Sequence, residues 1–249
     1  MLDIPSLEIE NPHVQFRLAG NKPWYEFVPD FLDNPDEILA WLYRQSGWRK
    51  EDGYCPTLKR PMRDQHSTIQ WGPRQAYNSC VPPDFRIRSS GPIPDFLKPL
   101  TERIEERYKQ PFNSIQVNRH YDHTSSVHPH SDNMQGDIVM IALGAPRRFV
   151  LRFKNDDKAV TKHRWKAGEI FYDPVMPSGS LLTIYAQHQH DLQHELPVQT
   201  EPCGERLSMI WRYLTKGNEQ HSGLQAYSMG GAEFTAAKKE WREKYEGGK

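Results

Sequence analysis

Between Asn113 and Tyr213 the apolar residues fall into short runs broken by turn residues: SIQVNRH, DIVMIAL, RRFVLRF, GEIFYD, SLLTIYA and RLSMIWRYL. Evenly spaced short strands of this kind predict two facing sheets, a jelly roll. Upstream the period changes. Asn34 is placed to cap a helix, Pro35 suits its first position, and Asp36 and Glu37 complement its dipole; Ile38, Leu39, Trp41 and Leu42 form its apolar face. A second helix is predicted over PDFLKPLTERIEERY, where Phe96, Leu97, Leu100, Ile104 and Tyr108 share one face opposite Glu102, Arg103 and Glu106. The fold class is therefore mostly β with flanking helices, and both helices read as scaffold.

The rest of the chain follows no such period. Residues 1–23 form a polar, loose start, and WYEFVPDFL then reads as a strand entering a turn. Residues 48–93 are irregular, rich in Pro and Gly, with aromatics scattered among Arg and Lys. A single domain is expected over 24–215, with its strand-rich core at 112–215. Residues 216–249 form a linker followed by the charged helical run AEFTAAKKEWREKYE.

Charge and cysteine content narrow the function classes. The 32 basic and 32 acidic residues balance, so no global field attracts nucleic acid, and any such binding needs a local patch. Cys55, Cys80 and Cys203 are odd in number and not in Cys-x-x-Cys pairs, which argues against a disulfide scaffold or a zinc ribbon and fits a reducing compartment. No apolar run spans a membrane, and the first twenty residues, with Asp3, Glu8 and Glu10, lack an apolar signal segment. An intracellular, monomeric protein without membrane contact is expected.

Candidate chemistry concentrates in two stretches, NRHYDHTSSVHPHSD (118–132) and HELPVQTEPCGERLSMIWR (194–212). Side chains two apart on a strand point the same way, so His130 and Asp132 can enter one cavity. By the same rule Arg206, Ser208, Ile210 and Arg212 share one face, and Leu207, Met209 and Trp211 the other. Two His and one carboxylate on one side of an iron(II) ion leave positions open for dioxygen and a cosubstrate, and two inward guanidinium forks suit a carboxylate. A lone His is most often a hydrogen-bonded structural residue. The order of the elements outweighs that reading: His-x-Asp, a distal His, then Arg-x5-Arg. His188, His190 and His194 all compete for the distal place.

This arrangement resembles the AlkB family of Fe(II)/2-oxoglutarate-dependent dioxygenases. The likeness extends to FNSIQVNRH before the His-x-Asp, to IALGAPRRFVLRF after it, and to SGSLLTIYAQHQHDLQHELP before the distal His. It covers roughly Trp24 to Tyr213 and is strongest after Phe112. It implies a double-stranded β-helix core and iron ligands His130, Asp132 and His194. His194 is chosen because several members place the distal His twelve residues before the first Arg, as here (206 − 194 = 12). It also implies a 2-oxoglutarate pocket with Asn118, His120, Arg206, Ser208 and Arg212, and Fe(II), 2-oxoglutarate and O2 as reactants. The family commonly has Asn-x-Tyr where this chain has Asn118-Arg119-His120, and Ser208 stands where several members have Asn. Strand alternation points His120 into the pocket and Tyr121 away from it, unless a bulge shifts the register.

The resemblance further implies that 48–93 is a substrate-recognition lid over the metal. There Trp71 and Tyr77 could stack on a base, and Arg60, Arg63, Arg86 and Arg88 could meet phosphates. The implied activity is oxidative dealkylation of alkylated bases in DNA or RNA, with nucleic acid as partner. The alternative is the same cofactor chemistry on a small molecule or a protein side chain.

Overall fold

The computed structural model describes residues 14–15, 24–55, 60–72, 91–132, 136–154, 168–189, 191–214 and 232–246. Two facing antiparallel sheets carry the fold. The larger runs in the order β1 (Val14–Gln15), β2 (Tyr25–Val28), β12 (Leu181–Ile184), β7 (Ile138–Gly144), β14 (Arg206–Arg212), β5 (Ser114–His120), β4 (Arg60–Trp71), β3 (Arg49–Cys55). The smaller runs β10 (Ile170–Tyr172), β9 (Val150–Phe153), β13 (Leu192–Leu196), β6 (Val127–His130), and β8 (Arg147–Arg148) pairs with β11 (Val175–Met176). This is the jelly-roll arrangement that the strand spacing predicts.

Alternation along the large sheet produces two cores. Val28, Ile69, Trp71, Ile115, Val117, Val139, Ile141, Leu143, Leu181, Leu207, Met209 and Trp211 face outward, together with residues of helices α1 (Pro35–Tyr43) and α2 (Lys98–Tyr108). Trp211 donates its indole N–H to Thr101 Oγ1 of α2 at 3.1 Å, so the one polar atom of this large buried ring is satisfied. Arg107 and Tyr108 of α2 meet Glu26 of β2 at 2.6 and 2.7 Å. Asn34 makes no side-chain cap on α1. A third helix, α3 (Ala232–Glu246), buries Trp241.

The inward face is divided. Towards β2, β12 and β7 it is apolar: Tyr25, Phe27, Leu182, Ile184, Ile138, Met140 and Ala142 meet Phe149, Leu151, Phe153, Leu192 and Leu196 of the opposite sheet. Towards β4, β5 and β14 it is polar, in rows fixed by the strand register. His66 pairs with His120 and that with Arg206; Thr68 with Asn118 and that with Ser208; Gln70 with Gln116 and that with Ile210; Ser114 with Arg212. Burying so many polar groups costs free energy unless they are hydrogen-bonded or await a ligand. The polar half is where a site belongs.

Residues 49–55 and 60–71 correct one expectation. In place of an irregular stretch they supply β3 and β4, an antiparallel pair that extends the large sheet through β5. Trp71 is corrected with them. It is 4 % exposed and packs beside Trp41, ring centroids 5.7 Å apart, on the helix side of the sheet. Burying a ring of this size stabilises the core by about 2–3 kcal/mol, and the ring is unavailable to a base. Residues 73–90, with Tyr77, Arg86 and Arg88, lie outside the described residues. Among the described residues no helix is long and apolar enough to cross a membrane.

Gly144 ends β7 directly opposite Arg206, with φ +82°, and a Cβ there would stand 2.5 Å from the Glu205 carbonyl oxygen. Gly144→Ala is expected to lower stability by roughly 1–3 kcal/mol from the backbone conformation alone, with the clash adding to it. Urea unfolding checks this; an unchanged midpoint would contradict it.

Candidate metal and carboxylate site

β6 and β13 pair so that His130 lies directly opposite His194, and their ring centroids are 4.2 Å apart. Asp132 follows β6 by two residues. Ser131, between them, donates its hydroxyl to the Leu192 carbonyl at 2.5 Å and so fastens this segment to β13. His130 Nε2 stands 3.5 Å from Asp132 Oδ1, and His194 Nε2 stands 3.9 Å from Asp132 Oδ2. One ligand atom from each of the three residues falls within 4.8 Å of the others, a spacing that can hold one metal ion. The Nδ1 of His130 lies 2.8 Å from the His128 carbonyl. That contact uses Nδ1–H and turns Nε2 inward, as metal-bound imidazoles are commonly oriented.

Burial alone would raise the Asp132 carboxyl, but the Arg212 guanidinium and the two imidazoles hold it well below the usual carboxylate range. Burial and neighbouring His130 push His194 down to about 3, so at neutral pH the ring is uncharged and one nitrogen lone pair is available to a metal. Burial works against charge on His130 too, yet its contact with Asp132 raises its pKa above the ordinary value. A metal ion would compete with protonation of this ring.

Arg212 crosses from the large sheet to this group. It donates to Asp132 Oδ2 at 2.6 Å and to Gln116 Oε1 at 2.8 Å. Gln116 Nε2 in turn donates to Asn118 Oδ1 at 2.9 Å, where Thr68 Oγ1 also donates at 3.1 Å. Ser208 is buried in the row of Asn118.

Arg206 has a different environment. It is fully buried and donates to the Met176 carbonyl at 3.3 Å and sulfur at 3.7 Å, with no hydrogen-bond partner for Nε among the described residues. Burial and the nearby Arg147 guanidinium push it down to about 9, so it is a cation at pH 7. Arg147 is also buried. It donates to the carbonyls of Asp122, Ser125 and Pro197 at 2.7, 2.8 and 2.7 Å, stapling the turn before β6 to the chain leaving β13. A buried guanidinium without a carboxylate is costly, and among the described residues Arg206 has none; its fork suits a carboxylate ligand.

The unbroken β5–β14 register puts His120, 2 % exposed, in the row of Arg206. Tyr121 is exposed on the other side, its hydroxyl against Ser67 Oγ, so no bulge brings it inward. His188 stacks on Trp24 at 4.3 Å and lies apart from the cluster; His190 is outside the described residues. The His128 side chain is exposed and only its carbonyl serves the site. Arg60 and Arg63 lie on β4 opposite Cys55 and Asp52. Three residues of the site escape a reading of the sequence: Gln116, His66 and Arg147. Gln116 shares the parity of Asn118 and was within reach. Nothing local marks the other two.

No protein-family model matches the chain, and neither does any curated protein. Among solved structures it is similar to one described as the structure of OsALKBH1, with 17 % identity, TM-score 0.47, and 77 % of this chain and 99 % of that chain covered. It is also similar to an oxidoreductase of the 2OG-Fe(II) oxygenase family from Burkholderia pseudomallei, with 14 % identity, TM-score 0.47, and 76 % and 84 % covered. Likeness at this level leaves the chemistry to be read from the chain's own residues.

Mn(II) or Co(II) titrated into the protein is expected to bind with one-to-one stoichiometry. His194→Ala should weaken that binding at least about tenfold, as loss of a ligand set or its support does, and His188→Ala should leave it within twofold. Calorimetry distinguishes the two, and equal losses would place the metal elsewhere.

Proposed function

We propose that the chain is an AlkB-like Fe(II)/2-oxoglutarate-dependent dioxygenase that oxidatively dealkylates an alkylated base in DNA or RNA. The observation that carries the cofactor reading is the pairing of the His130–Asp132–His194 cluster with a fully buried Arg206 that has no carboxylate partner among the described residues. His130, Asp132 and His194 would hold the iron, and Arg206 would take the distal carboxylate of 2-oxoglutarate as a planar fork. Asn118, His120 and Ser208 share its wall. Arg212 keeps Asp132 ionised and aimed.

Iron(II) with 2-oxoglutarate and dioxygen supplies oxidation of an unactivated C–H bond: one oxygen atom enters that bond, the other enters succinate, and carbon dioxide leaves. The residues of the chain place the cosubstrate, hold the ligands and exclude water. An N-alkyl group hydroxylated at its first carbon then parts from the nitrogen as an aldehyde, with the proton of the new hydroxyl returning to the base.

The nucleic-acid reading is supported by the sequence resemblance and by the place of the β3–β4 pair. It adjoins β5 at the edge of the sheet and carries Arg49, Lys50, Arg60 and Arg63 along its strands. Phosphate contacts from such residues weaken as salt rises. A second reading, the same chemistry on a small molecule or a protein side chain, is favoured by the burial of Trp71 and by the balanced net charge.

Incubation with Fe(II), ascorbate and 2-oxoglutarate over a panel of methylated oligonucleotides, nucleosides and small molecules, with products weighed by mass spectrometry, separates the readings. Succinate should form with the true substrate and fall at least about a hundredfold in His130→Ala, since the metal chemistry is lost outright. Turnover of a free small molecule, with no oligonucleotide bound even at low salt, would replace the first reading by the second. Arg206→Lys should raise the KM for 2-oxoglutarate about tenfold or more, because an ammonium cannot reproduce the bidentate fork; an unchanged KM would remove Arg206 from the pocket.

A further inference from the structure

The polar half of the sheet is not uniformly satisfied. Its rows from Thr68 to Arg212 are joined by hydrogen bonds that end on Asp132. The row next to them, His66, His120 and Arg206 on three adjacent strands, is not. His66 Nδ1, His120 Nδ1 and Arg206 Nε are all buried with no hydrogen-bond partner among the described residues. The two imidazole centroids are 5.2 Å apart, with planes tilted by 41°. Three unpartnered polar nitrogens side by side on one row are more costly than one, and with Nδ1 protonated on both rings a single acceptor-rich ligand would relieve all three.

We propose that His66 is a third donor of the carboxylate cradle: Arg206, His120 and His66 together receive the distal carboxylate of 2-oxoglutarate. The inference rests on the cosubstrate reading above and adds a residue on β4, outside the strands that carry the other pocket residues. A carboxylate offers two oxygens and about four lone-pair sites, enough for a guanidinium fork and two imidazole N–H groups. Burial, followed by the charge of His130, pushes His66 down to about 4, and burial holds His120 well below the ordinary value. Both are then neutral rings with one N–H each, and they add no repulsion to Arg206. The register sets His66 beside His120, and His120 beside Arg206, so the three stand in one row across adjacent strands.

The test uses the full-length protein loaded with Mn(II), with calorimetric titration of 2-oxoglutarate and of 2-oxobutyrate, which has the same 2-oxo acid end but no distal carboxylate. His66→Ala is expected to raise the Kd for 2-oxoglutarate about tenfold, the scale of a hydrogen bond to a charged group, and to leave that for 2-oxobutyrate within twofold. His66→Gln, which restores an N–H donor, should recover most of the loss. Thermal unfolding checks that each variant is folded; if His66→Ala is not, His66→Phe, which keeps the volume and removes the donor, takes its place with the same expectation. Equal weakening of both ligands, or no weakening of 2-oxoglutarate, would overturn the role of His66. Failure of the wild-type protein to bind 2-oxoglutarate at all would overturn the cosubstrate reading, and the cradle with it.

Discussion

The ion pair between Arg212 and Asp132 joins the two sheets at the point where the chemistry is placed. Arg212 belongs to the large sheet and Asp132 follows a strand of the small one, and the contact is 2.6 Å with both side chains nearly inaccessible. Such a pair contributes little net stability, because desolvating two charges offsets much of their attraction. What it supplies is orientation. Removal of Arg212 would leave a buried carboxylate uncompensated and free to turn away from His130 and His194. Gln116 holds the other arm of the guanidinium, so the direction of Asp132 is set from β5 as well as β14.

The register of β14 between β5 and β7 makes this possible. A slip of one residue would carry Arg206, Ser208 and Arg212 to the helix side and drive Leu207, Met209 and Trp211 inward. The apolar side guards against that slip. Leu207, Met209 and Trp211 are fully buried against a core shared with α1 and α2, and Trp211 is additionally bonded to Thr101. Gly144, in its left-handed conformation, lets the chain come close to Glu205 at the strand end that carries Arg206. Scaffold and site are thus two faces of the same strands, and the hydrophobic face fixes what the polar face presents.

How much could be read from residues alone follows from this division. RLSMIWR alternates cleanly, so its inward and outward sets were legible, and so was the shared direction of His130 and Asp132. The β4 strand was not. In HSTIQW both faces are largely buried, yet the inward one is His66, Thr68 and Gln70. An amphipathic reading takes polar alternation as contact with water, whereas here it faces a site. With Pro61 and the charges before it, the stretch resembled a connector, and Trp71 looked like a free ring when it is a core residue. Arg147 was beyond reach for another reason: its partners are backbone carbonyls from two distant turns, which no side-chain pattern announces. Choosing His194 over His188 and His190 relies on spacing within a family; in the structure His194 lies opposite His130 and His188 stacks on Trp24.

The central claim is that the polar half of the large sheet and the His–Asp–His cluster form one pocket for a metal ion and a dicarboxylate. A crystal structure of the protein with Mn(II) and 2-oxoglutarate, collected at the manganese absorption edge, tests it most directly. An anomalous peak bonded to His130, Asp132 and His194 is expected, with the distal carboxylate of the ligand on the Arg206 guanidinium. A peak at any other set of residues, or a ligand whose distal carboxylate points away from Arg206, would contradict it.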